Sequence, residues 1–324
     1  MMITSKILRH ARPLLSSNLT LYNGGSRLLP SLMMGAGLQR SCTTTSSSTN
    51  APNQSTTTST TTSTNNSGQQ AFNSTKQDEI NLFNSFAAEW WNPDGPVKPL
   101  HRMNPKRVKY IVDRLRLVGL ASDSIPSPLA GLKMIDVGCG GGLLTESLSR
   151  LGADVVGMDA ACNNITMATA HAKQDRVLRQ NIEQQRLRYM DSTIEKHAET
   201  HREHYDVVCS LEVVEHVDNV PEFIRQCSMV LKPGGSFFLS TINKTLISYL
   251  TVILGAEYIL RVVPKGTHHW DQFLTPDQIR EYLANSQVQV KDVKGILVNP
   301  LTMNFTIDDT DYSSNYILHG VKQQ

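Results

Sequence analysis

The chain has 324 residues and a formal net charge of +2, with 31 Lys and Arg set against 29 Asp and Glu, so its charge balance gives no basis for nucleic acid as a partner. Its five cysteines, Cys42, Cys139, Cys162, Cys209 and Cys227, lack the paired spacing of a zinc site. No uninterrupted apolar run reaches the roughly 18 residues expected of a membrane-spanning helix.

Composition shifts sharply along the chain. From Met1 to Gln77 there is no Asp or Glu, while Lys6, Arg9, Arg12, Arg27 and Arg40 are spaced among Leu, Ile and Ser. That is the pattern of an amphipathic mitochondrial presequence, assigned to residues 1–40. Residues 41–77 are dominated by Thr, Ser and Asn and offer too few apolar side chains to offset the entropy of ordering, so a disordered linker is expected there. One globular domain is expected over residues 78–324.

The domain begins with an amphipathic pattern over Asp78 to Trp91, in which Ile80, Phe83, Ala87 and Trp90 recur at helical spacing. Such a helix closes over a site as a lid or packs into the core. The stretch after it is basic, with Lys98, His101, Arg102, Lys106 and Arg107. From Lys133 short apolar runs alternate with helical patterns. Strands are predicted over Lys133–Val137, Asp154–Met158, Leu187–Met190, Tyr205–Leu211 and Ser236–Thr241, with helices over Leu143–Leu151, Asn164–Lys173 and Val220–Val230. Alternation of this kind implies an α/β, doubly wound, mostly parallel sheet covered on both faces. A ligand then lies beyond the carboxyl ends of the strands, at the loops after Val137, Met158, Met190 and Leu211.

Two of those loops carry chemistry. Asp136-Val137-Gly138-Cys139-Gly140-Gly141-Gly142 joins a strand to a helix through glycines that let the backbone turn tightly and approach a ligand. Asp159 ends the next strand, where a carboxylate can accept both ribose hydroxyls of an adenosine. Leu143 stands where a dinucleotide fingerprint wants a third small residue, which favours S-adenosylmethionine over NAD, with Asp136, Gly138, Gly140 and Asp159 as cofactor-binding candidates. After Leu211 comes Glu212-Val213-Val214-Glu215-His216, whose two carboxylates and imidazole at i, i+3 and i+4 share one face if the turn is helical. They are candidates for catalysis and for holding Mg²⁺ or another divalent cation, with His216 a ligand or a general base; a solvated first turn of a helix is the alternative. Farther on, Leu246 to Val263 is apolar except for Glu257 and Arg261, a pattern open to an interfacial membrane contact or a buried helix.

Taken together, Asp136–Gly142, Glu212–Val217 and Leu231–Gly235 resemble the class I, seven-stranded S-adenosylmethionine-dependent methyltransferases. Trp90-Trp91, Lys98–Pro105 and above all Gly255–His268 are similar to the ubiquinone biosynthesis O-methyltransferase family, over Asp78 to nearly the C-terminus. The resemblance implies methyl transfer to a polyprenyl dihydroxybenzoate and a demethylubiquinol, peripheral attachment to the matrix face of the mitochondrial inner membrane and its lipid, and a multi-enzyme biosynthetic assembly. It puts cofactor contacts on Arg107, Gly138, Asp159 and Leu211, and metal ligands on Glu212, Glu215 and His216. A methyltransferase for an unprenylated phenol, a non-catalytic quinone-binding subunit and a nicotinamide oxidoreductase are the rival readings.

Overall fold

The computed structural model describes residues 77–85, 87–123, 126–245, 248, 273–299 and 302–324. The expected presequence, all of the expected linker except Gln77, and almost all of the apolar segment Leu246–Val263 lie outside the described residues, as do His268 and His269.

The predicted alternation is realised from Lys133 onward. Strand β1 (Lys133–Val137), β2 (Asp154–Asp159), β3 (Leu187–Asp191), β4 (Tyr205–Leu211) and β5 (Leu231–Ile242) run parallel, and β6 (Val288–Asn299), β7 (Asn304–Asp308) and β8 (Asn315–Lys322) complete one eight-stranded sheet. Its order is β3-β2-β1-β4-β5-β8-β6-β7, with β8 antiparallel to both β5 and β6 and β7 antiparallel to β6. The sheet therefore has the expected mostly parallel character and one strand more than seven, the short β7 added at the edge.

Pleating explains why the central strands read as unbroken apolar runs. In β1, Ile135 and Val137 face one hydrophobic layer and Met134 the other, and in β4 Val208 opposes Val207, Cys209 and Leu211. The first layer is closed by Phe223, Ile224 and Cys227 of α7 (Val220–Val230), by Ile194 of α6 (Ile194–Ala198) and by Ile279 and Leu283 of α8 (Pro276–Asn285). The second is closed by Ile111 and Leu115 of α2 (Lys98–Leu117), Leu144 and Leu148 of α3 (Leu143–Arg150) and Leu178 of α5 (Arg176–Glu183). Helix α4 (Cys162–Ala172) follows β2.

Several boundaries follow from local chemistry. Asp175 accepts from Leu178 N to cap α5, Asn219 accepts from Glu222 N to cap α7, and Thr275 with Gln278 forms a reciprocal capping box at α8. The Lys232–Gly235 turn appears as an irregularity between the Tyr205↔Leu231 and Val207↔Ser236 pairs, with Gly234 at φ +76. The long N-terminal amphipathic pattern is divided. Helix α1 (Gln77–Ser85) has no fully buried residue, and a separate 3₁₀ turn spans Ala87–Glu89. Ala87 and Trp90 enter a small core with Val97 and Leu143, so the pattern's second half is core and only its first half lies over the carboxyl edge.

Candidate active site

The glycine loop leaves β1 with Gly138, Gly140 and Gly142 all at positive φ, a path that side chains with a Cβ resist. The surroundings also leave no room: a Cβ on Gly138 would meet Val213 Cγ2 at 2.5 Å, and one on Gly140 would meet Trp90 Cη2 at 2.4 Å. Asp159, at the end of β2, is tied to this loop. Its Oδ2 accepts from Gly140 N at 2.8 Å, and its Oδ1 accepts from Ala161 N at 2.8 Å and from Asn164 Nδ2 at 3.2 Å. Burial raises the Asp159 pKa, and those donors oppose the rise by favouring the carboxylate. Asp136, just before the loop, accepts from Thr145 Oγ1 at 2.6 Å; burial pushes its pKa up to about 6, against the pull of Thr145 and Arg107.

Arg107 reaches the same region from α2. The side chain is buried, Nη2 donates to Asn104 Oδ1 at 3.4 Å, and Nε has no hydrogen-bond partner among the described residues. Burial lowers its pKa while the charges of Glu212 and Asp136 oppose that fall. A buried guanidinium with an orphaned N–H is costly unless something anionic completes it, and a ligand carboxylate has the right charge and shape. The donor set thus fits the amino-acid end of S-adenosylmethionine.

At the end of β4 the chain turns at Glu212, which takes a left-handed φ of +59 unusual for a residue with a side chain. Glu212 Oε1 accepts from Ser240 Oγ at 2.6 Å and Oε2 from Asn315 Nδ2 at 3.2 Å. Glu215 and His216 sit in the following 3₁₀ turn, Val214–His216, with Glu215 Oε2 accepting from Thr241 Oγ1 at 2.8 Å. His216 Nδ1 lies 3.2 Å from Glu79 Oε2, at ion-pair distance, and its ring meets Phe83 edge-on with centroids 5.1 Å apart. The three residues therefore do not lie on one helical turn: Glu212, at its left-handed φ, precedes the 3₁₀ turn that carries Glu215 and His216. Among the described residues no group of three His, Cys, Asp or Glu is gathered closely enough to hold a metal ion. Burial, and then the like charge of Glu212, raise the Glu215 pKa to about 7. Burial opposes protonation of His216, but Glu79 and Glu215 outweigh it and raise its pKa.

The remaining expected residue, Leu211, ends β4 nearly buried. Sequence reasoning did not find Glu79 or the part played by Trp91 and Asn164. Trp90 Nε1 donates to Asn164 Oδ1 at 2.8 Å, and Trp91 Nε1 donates to Gly141 O at 2.9 Å while its ring stacks on His171. Asn164 thereby links Trp90 to Asp159, and its neighbour Asn163 binds Asn84 of α1. The Trp90-Trp91 pair was the available signal, although spacing alone does not say that it straps the glycine loop.

A methyltransferase-domain family model matches residues 100–292. The mitochondrial ubiquinone biosynthesis O-methyltransferase of Dictyostelium discoideum is 54% identical over 250 residues, covering 76% of this chain and 78% of that one. The corresponding mitochondrial protein of Arabidopsis thaliana is 43% identical, covering 78% and 76%, and the ubiquinone biosynthesis O-methyltransferase of Cereibacter sphaeroides (strain ATCC 17025 / ATH 2.4.3) is 42% identical, covering 75% and 95%. Among solved structures, magnesium protoporphyrin IX methyltransferase from Synechocystis with bound SAH superposes with a TM-score of 0.52 at 21% identity, over 75% of this chain and 98% of that one, a likeness of fold. With a glycine loop, an acidic strand end and more than half its aligned residues in common with a named relative, the chain belongs to the ubiquinone biosynthesis O-methyltransferase family, whose members are S-adenosylmethionine-dependent methyltransferases.

Proposed function

We propose that the protein methylates a ring hydroxyl of a polyprenylated dihydroxybenzoate and of a demethylated ubiquinol, using one continuous site that joins the glycine loop to the Glu212–His216 turn. The observation that carries this reading is Arg107: one buried guanidinium, lacking a partner at Nε, feels the charges of both Asp136 and Glu212. Val213 against Gly138 brings the same two loops into contact.

In this reading Gly138 and Gly140 give the donor close access to backbone, Asp159 accepts from the ribose hydroxyls, Arg107 pairs with the methionine carboxylate, and Asp136 favours the positive sulfonium end. Leu211 contributes an apolar or backbone contact. S-adenosylmethionine supplies a methyl group on a sulfonium, so the acceptor oxygen forms a C–O bond as the S–C bond breaks and its electrons return to sulfur. The hydroxyl's proton passes to the Glu212, Glu215 and His216 cluster, of which His216 is the one imidazole. No covalent enzyme intermediate is needed, and orientation of oxygen against methyl, worth up to roughly 7–11 kcal/mol, is the main lever available to the protein.

The chemistry of that cluster suits a divalent cation, because carboxylate oxygens match Mg²⁺ and the repulsion between Glu212 and Glu215 is what a cation would relieve. Glu212, Glu215 and His216 would hold it, and it would supply stabilisation of the phenolate. The relatives' mitochondrial names and the acid-free leader support a mitochondrial address. No helix among the described residues is long and apolar enough to cross a membrane. Attachment at the matrix face of the inner membrane through residues 245–268, within an assembly of biosynthetic enzymes, completes the proposal. An isoprenoid tail too long for an ordinary soluble pocket supports it.

The test is transfer of labelled methyl from S-adenosylmethionine to a short-chain prenylated dihydroxybenzoate by the full chain, with EDTA or with added Mg²⁺, alongside calorimetric titration of Mg²⁺. Transfer to one ring oxygen is expected, with Mg²⁺ heat that is lost in Glu215→Gln. Equal turnover of an unprenylated catechol would overturn the substrate assignment, and absence of Mg²⁺ binding would overturn the metal.

A further inference from the structure

The N-terminal helix brings a carboxylate to the acceptor half of the site. Glu79 Oε2 lies 3.2 Å from His216 Nδ1, both side chains are largely buried, and Phe83 one helical turn later sets its ring edge-on against the same imidazole. The far end of that helix is fixed elsewhere: Asn84 Oδ1 accepts from Asn163 N at 3.0 Å, and Asn84 O accepts from Asn163 Nδ2 at 3.3 Å. Asn163 belongs to the first turn of α4, whose next residue, Asn164, holds Asp159. One short helix therefore touches the acceptor turn after β4 at one end and the donor-side turn after β2 at the other.

We propose that Glu79 is a positioning residue for His216. A carboxylate at Nδ1 fixes the tautomer with the proton on Nδ1 and leaves the Nε2 lone pair free. Both roles open to His216, taking the hydroxyl proton or binding a cation, use that lone pair, so the assignment deepens the methyl-transfer reading above and rests on it. Phe83 limits rotation of the ring about the same axis. Since Glu79 is carried by α1, the imidazole is set for chemistry only while α1 is seated across the carboxyl edge. Closure over the donor and activation of the acceptor then become one event, an arrangement that leaves the base unset until the site is covered.

Glu79 falls in the first turn of α1, where an acid is favourable for the helix on dipole grounds alone. Its direction, into the site and onto an imidazole, is what the helix-end explanation does not supply. The 3.2 Å contact has ion-pair distance, and its alignment falls short of a full hydrogen bond.

The experiment compares the full chain with Glu79→Ala and Glu79→Gln. For each it measures kcat, KM for both substrates, S-adenosylmethionine affinity by calorimetry, and the ¹⁵N shifts of the His216 ring, assigned by loss in His216→Gln. Loss of an outer carboxylate of this kind costs about 10- to 100-fold in activity, so Glu79→Ala is expected to lower kcat by that factor with S-adenosylmethionine affinity retained. Glu79→Gln, whose side-chain carbonyl still accepts from Nδ1–H, is expected to recover most of the loss. The ring of the unaltered chain is expected to carry its proton on Nδ1, and Glu79→Ala to shift the tautomer toward Nε2. Unchanged kcat in Glu79→Ala, equal loss in both variants, or a His216 ring with the same ¹⁵N shifts in all three proteins would overturn the proposal. Because the ring shifts are read without turnover, failure of the substrate assignment does not disguise failure of this one.

Discussion

At the scale of single residues, the candidate site gathers buried charged groups held by neighbouring loops and helices. Asp159 is held by two backbone N–H groups and Asn164, so its oxygens are fixed in place by the protein itself. Charge-assisted hydrogen bonds are worth roughly 1.5–3 kcal/mol each, and Asp159→Ala is therefore expected to weaken S-adenosylmethionine binding about 10- to 100-fold by calorimetry. Gly138→Ala forces a methyl to within 2.5 Å of Val213 at a φ of +76, which should cost roughly 1–3 kcal/mol in a urea melt and reduce affinity for the donor as well. The strand–glycine loop–helix placement of Asp136, Gly138 and Gly140, and of Asp159 at the next strand end, was legible because it is written in contiguous residues. Glu79 was not legible: an acid in the first turn of an amphipathic helix has an ordinary explanation, and its contact with His216 spans a sequence separation that no local pattern encodes.

At the scale of elements, the chain marks its helices by their caps and its strands by their apolar runs. The α8 cap is a clear case, with Thr275 accepting from Gln278 N and Gln278 Oε1 accepting from Thr275 N. Thr275→Ala should lower stability by about 1 kcal/mol with kcat unaltered, since α8 lies among the helices closing the hydrophobic layer and not at the glycine loop. The predicted limits of β1, β4 and α7 match the observed ones residue for residue. The N-terminal pattern was less informative, because a period of 3.6 continues through Ser85 to Trp90 while the backbone does not remain one helix. Amphipathicity reports which side chains face inward, and it does not report that Trp90 and Trp91 turn onto Gly140 and Gly141.

Over the whole molecule, the sheet buries several ionisable groups whose titration opposes one another. His319 on β8 has no solvent exposure, stacks on Phe238, accepts from Arg114 Nε at 3.3 Å through Nδ1, and lies 3.0 Å from Ser236 Oγ through Nε2. Burial, reinforced by Arg114, pushes its pKa from 6.5 down to about 4. Between those values the unfolded chain binds the proton and the folded chain does not, so this residue's contribution to stability is complete above pH 6.5 and is lost as the pH falls toward 4. Asp136 and Glu215, raised to about 6 and about 7, act with the opposite sign, so the clean measurement is a difference. Urea melts of the full chain against His319→Gln should show the advantage of histidine shrinking by about 1–3 kcal/mol from pH 7 to pH 4.

The sequence by itself determined the layered α/β architecture, the glycine loop, the acidic strand end and the family. These are carried by contiguous residues: an apolar run buried on two faces, a backbone path only glycine follows readily, and a motif read in one stretch. Tertiary structure decided how those stretches meet. It set Arg107 of α2 within reach of both Asp136 and Glu212, placed Glu212 at a left-handed φ outside the turn that its spacing suggested would be helical, and laid α1 so that Glu79 reaches His216. Each of these joins residues far apart in the chain through packing of the elements that carry them. Their geometry depends on the crossing of helices over the sheet, and linear periodicity holds no information about that.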